Sequence, residues 1–262
     1  MTVTLLVFTL NELEGLTTIM PRVDKTLFEK IIIVDGGSTD GTIEWALDNG
    51  YQLHRQNRKG LRHAYNEAIE IVNSEIVVTF SPDGNSIPEL LPSLIKKLSS
   101  GYDMVIVSRY LDGAKSEDDD IITAFGNWFF TRTINFLYGG QYTDVMVMYR
   151  GWRKDMYKSL DLHTESAFKL YEKLFSTHLG VEPIMSVRAL KRNLNVTEIP
   201  GDEPARIGGV RKLQVFRWGL SFYFAFVNLS FLSQPQSLLL LIAVPSSVGR
   251  ESTTEVSPFL HI

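Results

Sequence analysis

An α/β fold with a mostly parallel central sheet and helices on both faces is what this chain predicts, on two observations. Short apolar runs rich in Val and Ile recur through the first 110 residues, each running straight into a polar loop. Stretches with helical spacing separate those runs. Strands that are apolar throughout are covered on both faces, and strand–loop–helix alternation makes them parallel.

Residues 3–8 are the first such run and end at Thr9-Leu10-Asn11-Glu12, a buried strand with a polar mouth. Residues 12–20 have helical spacing and stop at Pro21. Residues 30–34, β-branched and too short for a helix, lead into Asp35-Gly36-Gly37-Ser38-Thr39-Asp40-Gly41-Thr42. There Thr39 or Asp40 is expected to cap a helix that runs to Asn49-Gly50. Residues 51–54 read as a weaker strand, and 60–72 as a helix with Leu61, Ala64, Ala68, Ile69 and Val72 on one side. Residues 76–80 form a strong strand ending at Ser81-Pro82-Asp83-Gly84-Asn85, after which Pro88 opens a helix. Residues 104–107 are a further strand, ending at Ser108-Arg109.

Beyond this point the pattern loosens. Residues 112–120 make an acidic loop able to cover a cleft, although a solvated surface loop is the simpler reading of its charges. A helix is expected over 126–138, a strand or extended segment over 144–149, and a helix over 165–178. Residues 184–191 are apolar and able to be helical, and 196–200 are extended. From Arg206 to Arg217 the chain is basic.

With 262 residues, 44% hydrophobic and 21% charged, the chain can fill a large core and does not read as disordered. A net charge of -4 gives no basic surface for nucleic acid. The absence of cysteine removes disulfides, thiolate metal sites and a Cys nucleophile. Residues 215–244 are aromatic and aliphatic but are split at Gln234-Pro235-Gln236, and neither part reaches the roughly 18–20 residues that cross a bilayer. They read as packing helices or as a segment lying on a membrane surface. The N-terminus has no basic region of the signal-peptide kind. The expectation is a cytoplasmic chain, at the cytoplasmic face of a membrane if the C-terminal segment lies there.

In parallel sheets ligands sit outside the carboxyl ends of the strands. Those ends carry Asn11 and Glu12, Asp35, Asp83 and Asn85, and Ser108 and Arg109, which are expected to converge on one crevice. Asp83-Gly84-Asn85 sets two oxygen ligands two positions apart, and extended backbone would turn both toward one hard cation. The same tripeptide is an ordinary turn sequence. What raises it is its place after a strong strand. Asp35 can accept from a base or ribose, and its glycines allow close approach; a helix-capping turn is the plain alternative. No GxGxxG follows the first strand and no GxxxxGK[ST] occurs, so dinucleotide and P-loop readings fail.

Thr9-Leu10-Asn11-Glu12, Ile33-Val34-Asp35-Gly36-Gly37-Ser38-Thr39-Asp40, Lys59-Gly60-Leu61-Arg62, Ser81-Pro82-Asp83-Gly84-Asn85 and Ser108-Arg109-Tyr110 together resemble family 2 glycosyltransferases of the GT-A fold. Asn127, Arg132, Asp144, Glu198-Ile199-Pro200 and the spacing of Arg206, Gly209 and Lys212 are similar too. The likeness is greatest to the branch that makes dolichol- or polyprenyl-phosphate sugars. It implies a GT-A domain over residues 1–213, with an apolar helical segment over 214–245 and a polar tail over 246–262.

The resemblance further implies transfer, with inversion, of a sugar from a GDP- or UDP-sugar to a polyprenyl phosphate or a glycan. Thr9, Asn11, Glu12, Asp35 and Gly60 would lie on the nucleotide side. Asp83 and Asn85 would hold the Mg²⁺ or Mn²⁺ that bridges the diphosphate. Arg109, Arg132, Arg206 and Lys212 would meet phosphate of the donor or of a lipid-phosphate acceptor. A phosphate acceptor needs no strong base, whereas a hydroxyl does. Asp144 and then Glu182 are the candidates for a base or an acceptor-orienting group, and each can equally be structural.

Three positions depart from the family's pattern. Ser81 stands where an aspartate is usual in the metal loop, Gly36 replaces the second of a paired Asp, and the C-terminal segment breaks at 234–236. Ser81 motivates an alternative, a nucleotide-sugar-binding protein with degraded catalysis. A sugar-nucleotide nucleotidyltransferase would need a Gly-rich loop with a basic residue after the first strand, and Asn11-Glu12-Leu13-Glu14-Gly15-Leu16 offers none.

Overall fold

The computed structural model describes residues 1–164 and 180–208. The helix expected over 165–178, Lys212, and the segments 214–245 and 246–262 lie outside the described residues. The chain runs β1 (Val3–Thr9), α1 (Leu13–Ile19), β2 (Lys30–Asp35), α2 (Thr42–Asp48), β3 (Gln52–Arg55), α3 (Leu61–Ile71), β4 (Ile76–Phe80), α4 (Leu91–Ser99) and β5 (Met104–Ser108). There follow α5 (Ile121–Tyr138), β6 (Arg150–Arg153), α6 (Asp155–Ser159), α7 (Val181–Lys191) and β7 (Val196–Pro200).

Among the described residues seven strands form one sheet in the order β3-β2-β1-β4-β6-β5-β7. β1 pairs in parallel with β2 and β4, β2 with β3, and β5 with β7. β6 runs antiparallel between β4 and β5. The mostly parallel sheet is thus as the sequence predicts.

Every residue of β1, β4 and β5 is buried, which is why these strands carry no polar alternation. Side chains alternate in direction along a strand. Val3, Leu5 and Val7 join Leu16 of α1, Ala46 of α2 and Leu91, Leu94 and Leu98 of α4 in one apolar core. Phe8 points the other way, its ring 4.5 Å from that of Tyr65 on α3, which in turn lies 6.1 Å from Trp152 of β6.

The second half departs from expectation. Residues 144–149 form no strand; the strand is β6, directly after them. Its Arg150 is wholly buried and donates to the carbonyls of Val145, Val147 and Glu182. Two of those bonds engage the Val145 and Val147 carbonyls, which an extended 144–149 would turn to a neighbouring strand. α5 starts five residues before the expected 126, because Asp120 caps it by accepting from the Thr123 amide. α7 likewise begins at Val181, three residues early.

Smaller corrections concern turns. α2 is preceded by Gly41 at φ +98°, and Asp40 reaches past it to accept from the Thr42 amide. Pro88 opens a 3₁₀ turn, Pro88–Leu90, before α4.

Helix α5 is built inside out. Thr123, Asn127, Thr131 and Ile134 face inward, whereas Ile121, Phe125, Trp128 and Phe136 are 89, 63, 54 and 88% exposed. A surface helix ordinarily buries its apolar stripe. Among the described residues no helix is long and apolar enough to cross a membrane.

Candidate active site

At the carboxyl ends of β1, β2, β4 and β5 opens a cleft of about 870 Å³. Its lining includes Thr9, Glu12, Gly60, Asp83, Asn85, Arg109 and Arg206, seven of the residues singled out from sequence. Volumes of roughly 300–1,000 Å³ are typical of small-molecule sites.

The first wall is made by loops that lace to one another. The Asn11 amide donates to Ser38 Oγ, Glu12 N to Thr42 Oγ1, and Leu13 N to Asp40 Oδ2. The β2–α2 loop thereby satisfies the amides that open α1. Asn11 itself, at φ +55°, accepts from the Thr39 amide and lies outside the cleft lining. Asp35 is wholly buried behind the wall. It accepts from the amides of Gly37 and Ser38 at 2.8 and 2.9 Å and from Thr9 Oγ1 at 3.0 Å. Its carboxylate shapes the loop that faces the cleft. Gly60, at φ +108°, opens α3 and lines the cleft directly.

Asp83-Gly84-Asn85 is a turn, not the extended pair that the spacing suggested. Gly84 has φ +96°, a conformation that favours glycine, and the Asn85 amide donates to Asp83 Oδ1. The turn still sets both side chains on the cleft. Gly15 allows it to sit close to α1, since a Cβ there would lie 2.4 Å from the Pro82 carbonyl oxygen. Asp83 Oδ2 is 2.7 Å from Arg206 Nη1, which is also 4.0 Å from Glu12 Oε1. Asn85 donates to Asp118 Oδ2 at 3.1 Å, while its Oδ1 is buried without a hydrogen-bond partner.

That orphaned oxygen and the neighbouring carboxylate are the donor set that Mg²⁺ or Mn²⁺ prefers. The residues fit a divalent cation. Among the described residues no group of three or more His, Asp or Glu could hold one unaided. The remaining oxygens of its shell would come from ligand and water.

Opposite stands Arg109, at the end of β5 and 8% exposed. Its Nε meets Asp144 Oδ2 at 2.6 Å and its Nη2 meets Asp144 Oδ1 at 3.2 Å. Nη1 lies 3.1 Å from Glu203 and 3.3 Å from Asp119. Burial opposes the charge on Arg109, but Asp144 first, then Glu203 and Asp119, hold its pKa well above the ordinary value. Burial likewise pushes Asp144 up, and the Arg109 guanidinium more than reverses it, so this carboxyl stays below its ordinary range. Asp144 also accepts from Asn127 of α5 and from the amides of Met146 and Val147. It is fully buried and outside the cleft lining. Its place is behind Arg109, as the group that orients it.

Glu182 is not brought to the cleft. It is buried at the start of α7, with Tyr65 donating to it at 2.7 Å. Arg132 is exposed on α5, outside the cleft lining.

Sequence reasoning missed Glu203, Asp118 and Asp119 as site residues. Glu203 lines the cleft, and burial raises its pKa against the pull of Arg109. Asp119 has a side chain 2% exposed, held by Arg109 and Tyr110, so a solvated loop does not describe it. The signal was an acidic run just after the Ser108-Arg109 strand end, with a lone Glu three residues before Arg206.

A profile described as "Glycosyl transferase family 2" matches residues 5–161. Glycosyltransferase AglJ of Haloferax volcanii is 26% identical over 272 residues, covering 95% of this chain and 84% of that protein. Undecaprenyl-phosphate mannosyltransferase of Micrococcus luteus is 26% identical over 233 residues, covering 81% and 92%. A solved structure of glucosyl-3-phosphoglycerate synthase from Mycobacterium tuberculosis, with Mn²⁺, UDP and glucosyl-3-phosphoglycerate, superposes with a TM-score of 0.58. That match has 19% identity over 88% of this chain and 79% of the other, a likeness of GT-A fold.

Proposed function

The chain belongs to glycosyl transferase family 2 and is a glycosyltransferase, and on that premise we propose that it moves a hexose from a UDP- or GDP-sugar to a polyprenyl phosphate, with inversion. The observation that carries the reading is the gathering of Asp83, the orphaned Asn85 Oδ1, Arg109 and Arg206 on one cleft. Asp83 and Asn85 would hold a divalent cation, which when bound neutralises charge growing on the leaving diphosphate. Thr9, Glu12 and Gly60 line the nucleoside end, and the Asp35 loop shapes the wall beside them. Arg109, preorganised by Asp144, provides fixed positive charge for phosphate oxygens, and Arg206, held by Asp83 and Glu12 before the donor binds, is a second cation beside it. Lys212 would add to them from outside the described residues.

The state of the two carboxylates singled out as bases favours a phosphate acceptor over a hydroxyl. Asp144 is shut in and held ionised by Arg109, and Glu182 lies in the core. Neither is placed to take a proton from a sugar. An ionised phosphate needs no such help. The relative from Micrococcus luteus carries undecaprenyl phosphate in its name, which agrees.

The outer face of α5 supports a contact with a membrane surface as part of this reading. Its outward Phe125, Trp128 and Phe136 are an apolar face of the kind that settles at the headgroup boundary, with exposed Arg132 among them to meet lipid phosphate. On this reading α5 joins the C-terminal segment that the sequence suggested, which lies outside the described residues.

The test offers labelled UDP- and GDP-hexoses with Mn²⁺ to protein mixed with vesicles containing undecaprenyl or dolichyl phosphate. Label is expected in the lipid phase from one of the two donors. Asp83→Ala should lower it by at least about a hundredfold, and Phe125→Ser/Trp128→Ser should lower it while sparing nucleotide binding. Wild-type transfer by Asp83→Ala would refute the assignment of the site.

A further inference from the structure

Residues 201–208 cross the mouth of the cleft as a strap. Gly201 N donates to the Ser108 carbonyl at 3.0 Å, at the end of β5. Glu203 exchanges backbone bonds with the acidic loop, its amide to the Lys115 carbonyl and its carbonyl from the Glu117 amide, both at 2.8 Å. Ile207 N then donates to the Asp83 carbonyl at 2.7 Å. The fit at this end is close, since a Cβ on Gly84 would lie 2.8 Å from Ile207 Cγ1.

Of the strap's three charges, Asp202 accepts from the Lys115 amide, and the other two are each set on the cleft group of opposite sign. Glu203 lies on Arg109 at 3.1 Å, where a phosphate oxygen would lie. Arg206 lies on Asp83 at 2.7 Å, where a cation would lie. Resting on the reading of the cleft given above, we propose that Glu203 and Arg206 are built-in surrogates for the donor's diphosphate and its cation, and that donor binding exchanges both ion pairs.

Three physical points support the exchange. A guanidinium nitrogen 2.7 Å from Asp83 and a divalent cation on the same carboxylate repel each other strongly inside a partly dehydrated cleft. One must leave. A buried charge left unpaired is costly, so the cleft gains by keeping each of its charges covered until the ligand covers it. The pairing between strap and cleft is also incomplete: Arg206 Nε on the strap and Asn85 Oδ1 in the cleft are both buried without a hydrogen-bond partner. A half-satisfied network is easier to release than a complete one. Once Asp83 is taken by a cation, Arg206 is free to turn to phosphate; once a phosphate takes Arg109, Glu203 is released.

The surrogates predict that removing them improves binding of a single ligand component, the reverse of what deleting a contact residue does. Mn²⁺ alone is titrated by electron paramagnetic resonance into wild type, Arg206→Gln and Arg22→Gln. UDP and GDP without metal are titrated by calorimetry into wild type and Glu203→Gln. Arg206→Gln should bind Mn²⁺ alone about tenfold more tightly, a usual size for coupling between two sites. Glu203→Gln should gain similarly for one metal-free nucleotide. Arg22→Gln, which removes an equal charge from the exposed Arg22–Glu89 pair, should bind Mn²⁺ as wild type does. Unchanged or weaker Mn²⁺ binding by Arg206→Gln overturns the surrogate proposal. If wild type also binds no Mn²⁺ with either nucleotide, the reading of the cleft falls with it.

Discussion

On one side of the cleft, Thr9, Glu12 and Asp83 stand at or just past the ends of β1 and β4, and hydrogen bonds from backbone amides to side chains of the loops set the local turns. On the other, Arg109, Asp119, Asp144 and Glu203 come from four separate stretches and are held by one another's charges. The first wall is a by-product of the sheet, since parallel strands in register bring their loops together. The second depends on a buried ionic cluster that the sheet alone does not dictate. It should therefore be the more sensitive to single substitutions and to pH.

The largest effect is expected from Asp144→Ala. It leaves the Arg109 guanidinium with only Asp119 and Glu203, and it strips the Met146 and Val147 amides of their acceptor. Breaking a buried pair from one side costs about 3–5 kcal/mol, which urea unfolding would read. The pH dependence has a definite sign. Asp144 is held below its ordinary 3.8, so its contribution is complete above that value and is lost as pH falls through the lower folded one. Asp144→Ala should lack this part of the acid-side decline. A cost below about 1 kcal/mol, the scale of an exposed pair, would remove the distinction between the walls.

The same difference decides what could be read from sequence. The strands β1, β2, β4 and β5 announce themselves, because a strand buried on both faces is apolar along most of its length and its loop turns polar where the sheet ends; β3, Gln-Leu-His-Arg at the sheet's edge, is the weaker signal. Asp83 and Arg109 were found that way. Four-residue β6, Arg-Gly-Trp-Arg, gives no such sign. Its Arg150 is buried against carbonyls and its Gly151 leaves room for α4, so burial there does not look apolar. Glu203, Asp118 and Asp119 were illegible for another reason. An acid in an irregular loop reads as solvated until the buried cation that it faces is known. Asp35 and Glu182 show the converse, carboxylates that looked functional and are buried in hydrogen bonds of the fold.

A middle-sized effect tests the strand that joins the two walls. A Cβ on Gly151 would lie 2.6 Å from both Leu94 Cδ2 and Leu98 Cδ1 of α4. Gly151→Ala should cost about 1–3 kcal/mol by overpacking, and it should disturb the 146–149 wall before the Asp83 turn. Hydrogen exchange would separate the two. Equal loss of protection at both would mean that the walls share one scaffold.

The smallest effect is expected on the first wall. Thr9→Val keeps the shape of the side chain and removes one hydrogen bond, from Oγ1 to Asp35 Oδ2 at 3.0 Å. Asp35 retains the Gly37 and Ser38 amides, so the loop that it shapes should stay in place. One such bond among several is worth about 1 kcal/mol. Nucleotide binding should change little, because the Thr9 hydroxyl is engaged with Asp35 and valine keeps the side chain's volume at the cleft lining. Thermal unfolding and calorimetric titration with UDP and GDP would check both statements. A loss above about 3 kcal/mol, the scale of a broken buried ion pair, would show that the first wall also hangs on a buried polar network, and the two sides would then differ only in how easily they are read.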